Sequence, residues 1–204
     1  MSALSYRLRI KLRNGKTVEI RSLKPDDEEA LHNYLQNLSP ESRSRFGPHP
    51  FDQQTINMIC VHPDNDIQRF IAIDGSAPVI VSYMLIKQGM IDGDQQRYAQ
   101  RNQLYDSATM VTYAPSVADA WQSSGLGTAM LTIVENELKN KGISHIVLWG
   151  GVQVSNIKAV NFYKKNEYQF LASFWYDDKD NYDMVKQIAA PFRLDPVGEE
   201  TQAQ

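Results

Sequence analysis

The chain has 204 residues, of which 42% are hydrophobic and 22% are charged, and this composition is typical of one globular domain with a substantial core. A net charge of −3 gives no electrostatic basis for binding nucleic acid or an anionic membrane, because both partners require a basic patch. The single cysteine, Cys60, excludes an intramolecular disulfide, and the four histidines are scattered, so no metal site is predicted. No apolar run is long enough for a signal peptide or a transmembrane helix, so we expect a cytoplasmic protein.

The first predicted unit is a β-hairpin over residues 7–23. Apolar and charged residues alternate on both sides of Asn14-Gly15, and this arrangement is the strongest short-range signal for a tight hairpin turn. A helix is predicted next, because Pro25 and the acidic residues after it suit a first helical turn. An apolar stripe continues this helix to Leu38.

A second helical segment is predicted to begin at Ser39-Pro40. Serine suits the capping position, and proline suits the first position inside a helix. A further helix is expected over residues 51–61, with Pro63 ending it.

Two strands are predicted over residues 69–73 and 79–86, joined by a turn at Gly75. The polar segment that follows, residues 87–105, is either a long hairpin loop or a flap beside the substrate. Connections of that length are uncommon unless they are functional or disordered. We interpret this segment as a mobile loop and assign no chemistry to it.

The stretch from Trp121 to Thr128 carries the strongest functional signal. Residues 108–113 before it predict a strand, and apolar residues at helical spacing after it predict a helix. A loop with Gly125 and Gly127 between a strand and a helix start presents several free backbone N–H groups at the positive end of the helix dipole. Because glycine has no side chain, a guest can approach this backbone closely. The loop is therefore a candidate site for a phosphate group, and a pyrophosphate matches it best.

Other glycine loops have requirements that this one does not meet. A Walker loop needs a lysine directly after its last glycine, but Thr128 follows Gly127. A dinucleotide-binding fingerprint needs three glycines near the start of a βαβ unit, and this loop has two, far into the chain. A plain turn stays open as an alternative.

The remaining elements complete one predicted domain over residues 1–190, and residues 191–204 are expected to form a loose tail with little to bury. The expected elements are a strand over 144–149, a helix over 157–165, and a strand pair over 169–176 and 182–188.

Two motifs resemble those of the GNAT N-acetyltransferase superfamily. Residues 122–127, Gln-Ser-Ser-Gly-Leu-Gly, resemble the family's acyl-CoA loop, Gln-x-x-Gly-x-Gly. Residues 156–168 resemble its N-x-x-A-x-x-x-Y-x-x-x-G-F segment, except that Glu167-Tyr168 replace the final Gly-Phe. The resemblance covers roughly residues 17–187. It implies an α/β (α+β) fold with a mixed, mostly antiparallel sheet of about seven strands flanked by helices, acetyl-CoA (coenzyme A) as cofactor, and possible homodimers.

The resemblance also implies where the cofactor binds. In the family the loop amides hold the pyrophosphate, and the strand before the loop splays from its neighbour, so that the pantetheine arm pairs with its free edge. Such a strand accommodates Pro115, because proline has no N–H to donate and the strand is no longer paired with its neighbour there. The cofactor-binding residues implied here are Val117, Ala118, Gln122, Ser123, Ser124, Gly125, Leu126, Gly127, Thr128 and Asn156.

Catalytic roles follow from the same resemblance. The N–H near Val117 would act as an oxyanion donor, and Tyr163 would act as the general acid beside the sulfur. Core packing is the alternative role for Tyr163. Several family members place a glutamate base on the strand near Val111, but no carboxylate follows Asp106 there. Either a water chain to hydroxyls such as that of Thr112 removes the amine's proton, or there is no dedicated base.

The segment over residues 39–46 resembles the S-P-E-S-R-x-x-F phrase of bacterial GNAT proteins, where this region lines the acceptor pocket. Arg43 and Arg45 would then contact an acidic substrate or the cofactor. The alternative is a solvated helix face with a charge pair.

The sequence favours an N-acetyltransferase that moves an acetyl group from acetyl-CoA to a primary amine by direct attack. The acceptor stays open among small amines, amino acids, aminosugars and protein amines. A non-catalytic CoA-binding or sensing domain is one alternative. An interaction protein whose glycine loop is only a turn is another.

Overall fold

The computed structural model describes residues 7–62 and 64–188. The strands are β1 (Arg7–Lys11), β2 (Thr17–Ser22), β3 (Ile67–Asp74), β4 (Ile80–Gln88), β5 (Met110–Val117), β6 (His145–Leu148), β7 (Val152–Gln153), β8 (Gln169–Tyr176) and β9 (Lys179–Gln187). The helices are α1 (Glu28–Gln36), α2 (Pro40–Ser44), α3 (Gln53–Val61), α4 (Asp92–Ala99), α5 (Leu126–Asn140) and α6 (Ile157–Lys165), with 3₁₀ turns at Pro25–Asp27 and Asp119–Trp121.

The strands of the described residues form one nine-stranded sheet. Its order is β1-β2-β3-β4-β5-β6-β9-β7, and β8 pairs with β9 outside that path. The pairings are antiparallel except that of β5 with β6. These two run parallel because α5 carries the chain back across the sheet between them. The mixed, mostly antiparallel sheet is therefore confirmed. The count of about seven strands was low, in part because two-residue β7 is too short to leave a periodic pattern.

The N-terminal hairpin agrees with its prediction. β1 and β2 pair from Arg7 opposite Arg21 to Lys11 opposite Thr17. Gly15 has φ +84°, a left-handed conformation that glycine adopts without strain. β2 then pairs with β3, so the hairpin extends the main sheet.

Helices cover both faces of the sheet, each over an apolar cluster. On one face, α5 and α6 pack on a cluster that includes Tyr113 and Leu126. On the other face, α1 and α3 pack on a cluster that includes Leu31, Leu85 and Ala114. Because side chains alternate along a strand, Tyr113 and Ala114 on β5 point to opposite faces of the sheet and belong to different clusters.

The interpretation of residues 87–105 as a mobile loop is wrong. The segment contains α4, whose Tyr98 is buried and whose Arg97 forms ion pairs with Asp183 on β9 and with buried Asp94. Arg101 also pairs with Asp183. The contacts with Asp183 join residues more than eighty positions apart, so the local sequence pattern could not reveal them.

The last predicted strand pair is present as β8 and β9, joined by a turn at Asp177 and Asp178. α3 ends at Val61, near the predicted end. Pro63 and the predicted tail over 191–204 lie outside the described residues. In the described part of the chain, no helix has both the length and the apolar character needed to cross a membrane.

Candidate active site

The central feature of the site is the separation of β5 from β6. The two strands pair from Met110 with His145 to Tyr113 with Leu148, and the Trp149 N–H then donates to the Tyr113 carbonyl at 3.0 Å. β5 continues to Val117, paired there with β4. Among the described residues, no strand therefore pairs with the second edge of residues 114–117 of β5, as the family resemblance implied.

Pro115 fits this open edge. The Ala118 N–H donates to the Val81 carbonyl at 2.9 Å. Because hydrogen-bonded and non-hydrogen-bonded pairs alternate in an antiparallel ladder, Pro115 opposite Met84 is a non-hydrogen-bonded pair. The N–H that proline lacks would have pointed to the open edge, so β4 loses no bond. The N–H of Val117 has the same parity and points to the open edge as well.

Ala118 is engaged differently from Val117. Its N–H is bonded to Val81, and its carbonyl accepts from the N–H groups of Trp121 and Gln122. Among the two predicted pantetheine positions, Val117 alone keeps its N–H free for a ligand.

The loop over residues 122–128 presents a row of free donors at the start of α5. No described residue accepts a hydrogen bond from the N–H of Ser123, Gly125, Gly127 or Thr128. Ser123 and Gly125 have φ +60° and +87°, and such left-handed residues turn successive N–H groups toward one point. The dipole of the 15-residue helix α5 adds partial positive charge there. This geometry suits a diphosphate.

The two glycines of the loop have different roles, whereas the sequence predicted one role for both. Gly125 needs its left-handed conformation, and a Cβ there would meet open space. A Cβ on Gly127 would lie 3.3 Å from the Phe162 ring, so this glycine allows α5 and α6 to pack closely. Substitution of Gly127 would therefore disturb the helix packing as well as the donor row.

Three other loop positions shape the cradle. Ser124 donates from Oγ to the Trp121 carbonyl at 2.6 Å and accepts from the Leu126 N–H at 3.3 Å. Leu126 is fully buried and anchors the helix start in the core. The Gln122 amide lies between Ser42 Oγ, at 3.3 Å, and the Nζ of Lys158, at 3.4 Å.

Asn156 and Tyr163 are positioned by α6. The Asn156 side chain caps this helix by accepting from the Ala159 N–H at 3.2 Å. Tyr163 is buried and packs its ring edgewise on Tyr168, with centroids 5.1 Å apart. Within the described chain its hydroxyl has no hydrogen-bond partner, and burial raises its pKa, so the phenol keeps its proton.

Comparison with known proteins places this geometry in a family. A model of the acetyltransferase (GNAT) family matches residues 19–168. The chain belongs to this family. The comparison with curated proteins gave no match.

Solved GNAT structures share the fold at low sequence identity. The GNAT domain of S. lividans PAT has a TM-score of 0.71 and 19% identity, over 92% of this chain and 99% of that one. Aminoglycoside acetyltransferase AAC(6')-Ib, solved with coenzyme A, has a TM-score of 0.64 and 20% identity, over 83% and 94%. Arabidopsis thaliana NAA60, solved with acetyl-CoA, has a TM-score of 0.61 and 16% identity, over 84% and 98%.

Residues 40–44 of the segment over 39–46 form α2, which lies beside the glycine loop, with Ser42 Oγ 3.3 Å from the Gln122 amide. Ser39 caps α2 and also donates to the Asp119 carboxylate, as does Ser42. Arg45 pairs with Glu41 at 2.6 Å, which is the predicted charge-pair alternative. Its Nη1 also lies 3.4 Å from Asn156 Oδ1, at the rim of the site.

Sequence reasoning did not single out two residues near these features. Lys158 donates from Nζ to Gln122 Oε1 at 3.4 Å and so places a cation beside the glycine loop. His49 lines a cavity that Trp149, the residue after β6, also lines. Both positions depend on tertiary contacts that spacing along the chain does not reveal. Along β5 there is no carboxylate, as predicted.

Proposed function

We propose that this protein is an acetyl-CoA-dependent N-acetyltransferase that acts on a primary amine by direct attack. The observation that carries the proposal is the row of four free N–H groups at the start of α5, beside an open strand edge. A diphosphate and an extended pantetheine arm are the two parts of coenzyme A that such features fit.

Two groups of residues would contact different parts of the cofactor. Ser123, Gly125, Gly127 and Thr128 would donate to the diphosphate, with Lys158 adding charge nearby. Val117 would pair with the pantetheine arm along the open edge of β5. The left-handed Gly125 fits this assignment, because a Cβ there would point into the space that the diphosphate needs.

Acetyl-CoA supplies an acetyl thioester, and the chain supplies the polar groups around it. The N–H of Val117 would stabilise negative charge on the thioester carbonyl oxygen. Tyr163 would give its proton to the departing thiolate. The raised pKa of Tyr163 makes it a weaker acid than a free phenol, but it also keeps the proton in place until the thiolate forms.

Thermal unfolding with acetyl-CoA tests the cofactor assignment, with NAD and ATP as controls. Binding to the folded state stabilises it by about 2.7 kcal/mol at a hundredfold excess over the dissociation constant. Thr128→Glu places a carboxylate at the donor row, and we expect it to weaken acetyl-CoA binding roughly tenfold or more, by about 1.4 kcal/mol. Acidic residues suit a first helical turn, so this variant should fold normally.

Thr132→Glu is the matched control, because Thr132 is exposed on the same helix one turn later. Equal acetyl-CoA affinities in the two variants would refute the cradle. A shift with acetyl-CoA, together with amine-dependent thiol release, supports the enzyme. A shift without thiol release for any amine supports the non-catalytic binding domain, and no shift rejects both.

A further inference from the structure

Ser116 brings a hydroxyl to the open edge of β5. Residues 110–114 of this strand are buried, whereas residues 115–118 are partly exposed. Ser116 carries the only polar side chain among residues 114–117, where the edge is open. Its Oγ lies 2.9 Å from the hydroxyl of Tyr34 on α1, so the side chain points to the face of the sheet that α1 and α3 cover.

The Ser116 hydroxyl keeps one lone pair free. It donates its hydrogen to the Tyr83 carbonyl oxygen at 3.2 Å, so Tyr34 is the donor in the contact at 2.9 Å. A hydroxyl oxygen has two lone pairs, and Tyr34 uses one of them. In the described part of the chain, no other group donates to Ser116 Oγ. Because Tyr83 is on β4, across β5 from the open edge, the second lone pair points away from β4.

This lone pair is adjacent to the proposed position of the thioester. The N–H of Val117, the proposed oxyanion donor, belongs to the peptide bond that joins Ser116 to Val117. A thioester oxygen that accepts from this N–H lies about 2.9 Å from the nitrogen. A cofactor arm paired along the open edge would lie about 4.8 Å from β5, as a neighbouring strand does. A nitrogen above the thioester carbon, on the face of Ser116, is therefore next to the Ser116 hydroxyl.

The two faces of this thioester have different surroundings. On the face covered by α5 and α6, Tyr113 and Val117 belong to an apolar cluster with Tyr163, the proposed acid for the thiolate. On the other face, Ser116 offers an acceptor for an N–H group. Since an N–H group that leaves water without a partner costs free energy, the amine should approach from the face of Ser116.

We infer that Ser116 orients the attacking amine by accepting one of its N–H hydrogens, so that the nitrogen lone pair points to the thioester carbon. The inference rests on the proposed acetyl transfer. The neutral amine bonds to the thioester carbon while the carbon–sulfur bond breaks. The nitrogen then releases one proton to water, and Tyr163 gives one proton to the thiolate and regains one from solvent. Ser116 positions the amine and takes no proton itself.

The test measures thiol release from acetyl-CoA with n-butylamine, L-lysine, an aminoglycoside and a short peptide as acceptors. Ser116→Ala should lower kcat/KM for the amine by about tenfold, the effect of one hydrogen bond. Tyr34→Phe breaks the same hydrogen bond between Tyr34 and Ser116 but leaves the Ser116 hydroxyl, which still donates to Tyr83. Tyr34→Phe should therefore lower kcat/KM far less than Ser116→Ala does.

Two further measurements separate positioning from other roles. The acetyl-CoA thermal shift should be the same in wild type and both variants, which verifies folding and the cofactor site independently of turnover. The pH profile of kcat/KM should keep its shape in Ser116→Ala, because the hydroxyl does not take the proton.

Equal kcat/KM for Ser116→Ala and wild type, equal losses in Ser116→Ala and Tyr34→Phe, or a changed pH profile would overturn the role of Ser116 and leave acetyl transfer intact. Absence of thiol release by wild type with every amine would overturn the proposed function itself, and this inference with it.

Discussion

Three buried tyrosines, Tyr113 on β5, Tyr163 on α6 and Tyr168 just after it, lie in one apolar cluster. The hydroxyls of Tyr113 and Tyr168 are fully enclosed and have no hydrogen-bond partner among the described residues. An enclosed polar group without a partner costs about 1–3 kcal/mol. Tyr168 stands where the GNAT motif has phenylalanine, and Glu167 before it, at φ +67°, stands where the motif has glycine. Both departures therefore lower stability at one helix end.

Tyr163→Phe removes the proposed acid and keeps the ring that packs on Tyr168. We expect thiol release to fall by about 10²-fold or more, with acetyl-CoA affinity unchanged. Tyr168→Phe is the matched control and should raise stability by about 1 kcal/mol with turnover unchanged. Steady-state kinetics and thermal melts measure both effects. If the two variants turned over at the same rate, Tyr163 would have no part in the chemistry.

The free N–H groups at the start of α5 lie in the loop that the sequence singled out, because a loop and the first turn of its helix are local in the chain. The two glycines gave this loop away by their spacing, and the other cradle positions followed from the family resemblance. Spacing gave no sign that Phe162 packs against Gly127, because two helices meet there.

At the scale of elements, α4 is the one whose prediction failed. Its Asp94 accepts from Arg97 at 2.6 Å and from the Gly150 N–H at 2.9 Å. Gly150 follows β6 next to Trp149, at the point where β5 and β6 separate. α4 therefore holds the loop that borders the site, although the sequence indicated no chemistry there. The N-terminal hairpin, by contrast, was predictable because its turn and register are encoded within seventeen residues, 7–23.

Asp94→Asn tests whether α4 is a fixed element. The amide offers one acceptor where the carboxylate offers two, so either Arg97 or the Gly150 N–H loses its partner. We expect a loss of about 1–3 kcal/mol in the free energy of unfolding. Asp92→Asn, exposed in the same helical turn, should leave stability unchanged. Urea unfolding compares the two, and identical midpoints would mean that α4 is not held through Asp94.

At the scale of the molecule, the family resemblance implied a sheet flanked by helices, whereas the electrostatic links between these layers depend on tertiary contacts that the sequence does not reveal. Arg21 on β2 makes two hydrogen bonds, of 2.6 and 2.7 Å, to the Asp27 carboxylate at the entrance to α1. Asp27 also accepts from the Lys24 N–H at 2.8 Å. Because this group joins the hairpin to the helical layer, its ionisation bears on the stability of the whole fold.

The pH dependence of stability should show this link. Burial alone would raise the pKa of Asp27, but the hydrogen bonds from Arg21 and Lys24 outweigh it and lower the pKa below its unfolded value of about 4. A lowered folded pKa gives stability that is present above pH 4 and is lost as pH falls through the folded pKa. Asp27→Asn should therefore cost about 1–3 kcal/mol at neutral pH.

The difference between Asp27→Asn and wild type should shrink as the pH falls below about 4, because wild type then loses its carboxylate as well. Thermal melts from neutral pH to about pH 2.5 measure this convergence. Asp26→Asn, at the exposed neighbouring position, serves as control and should parallel wild type throughout. A stability difference between Asp27→Asn and wild type that stayed constant with pH would mean that the charge of Asp27 does not contribute to stability.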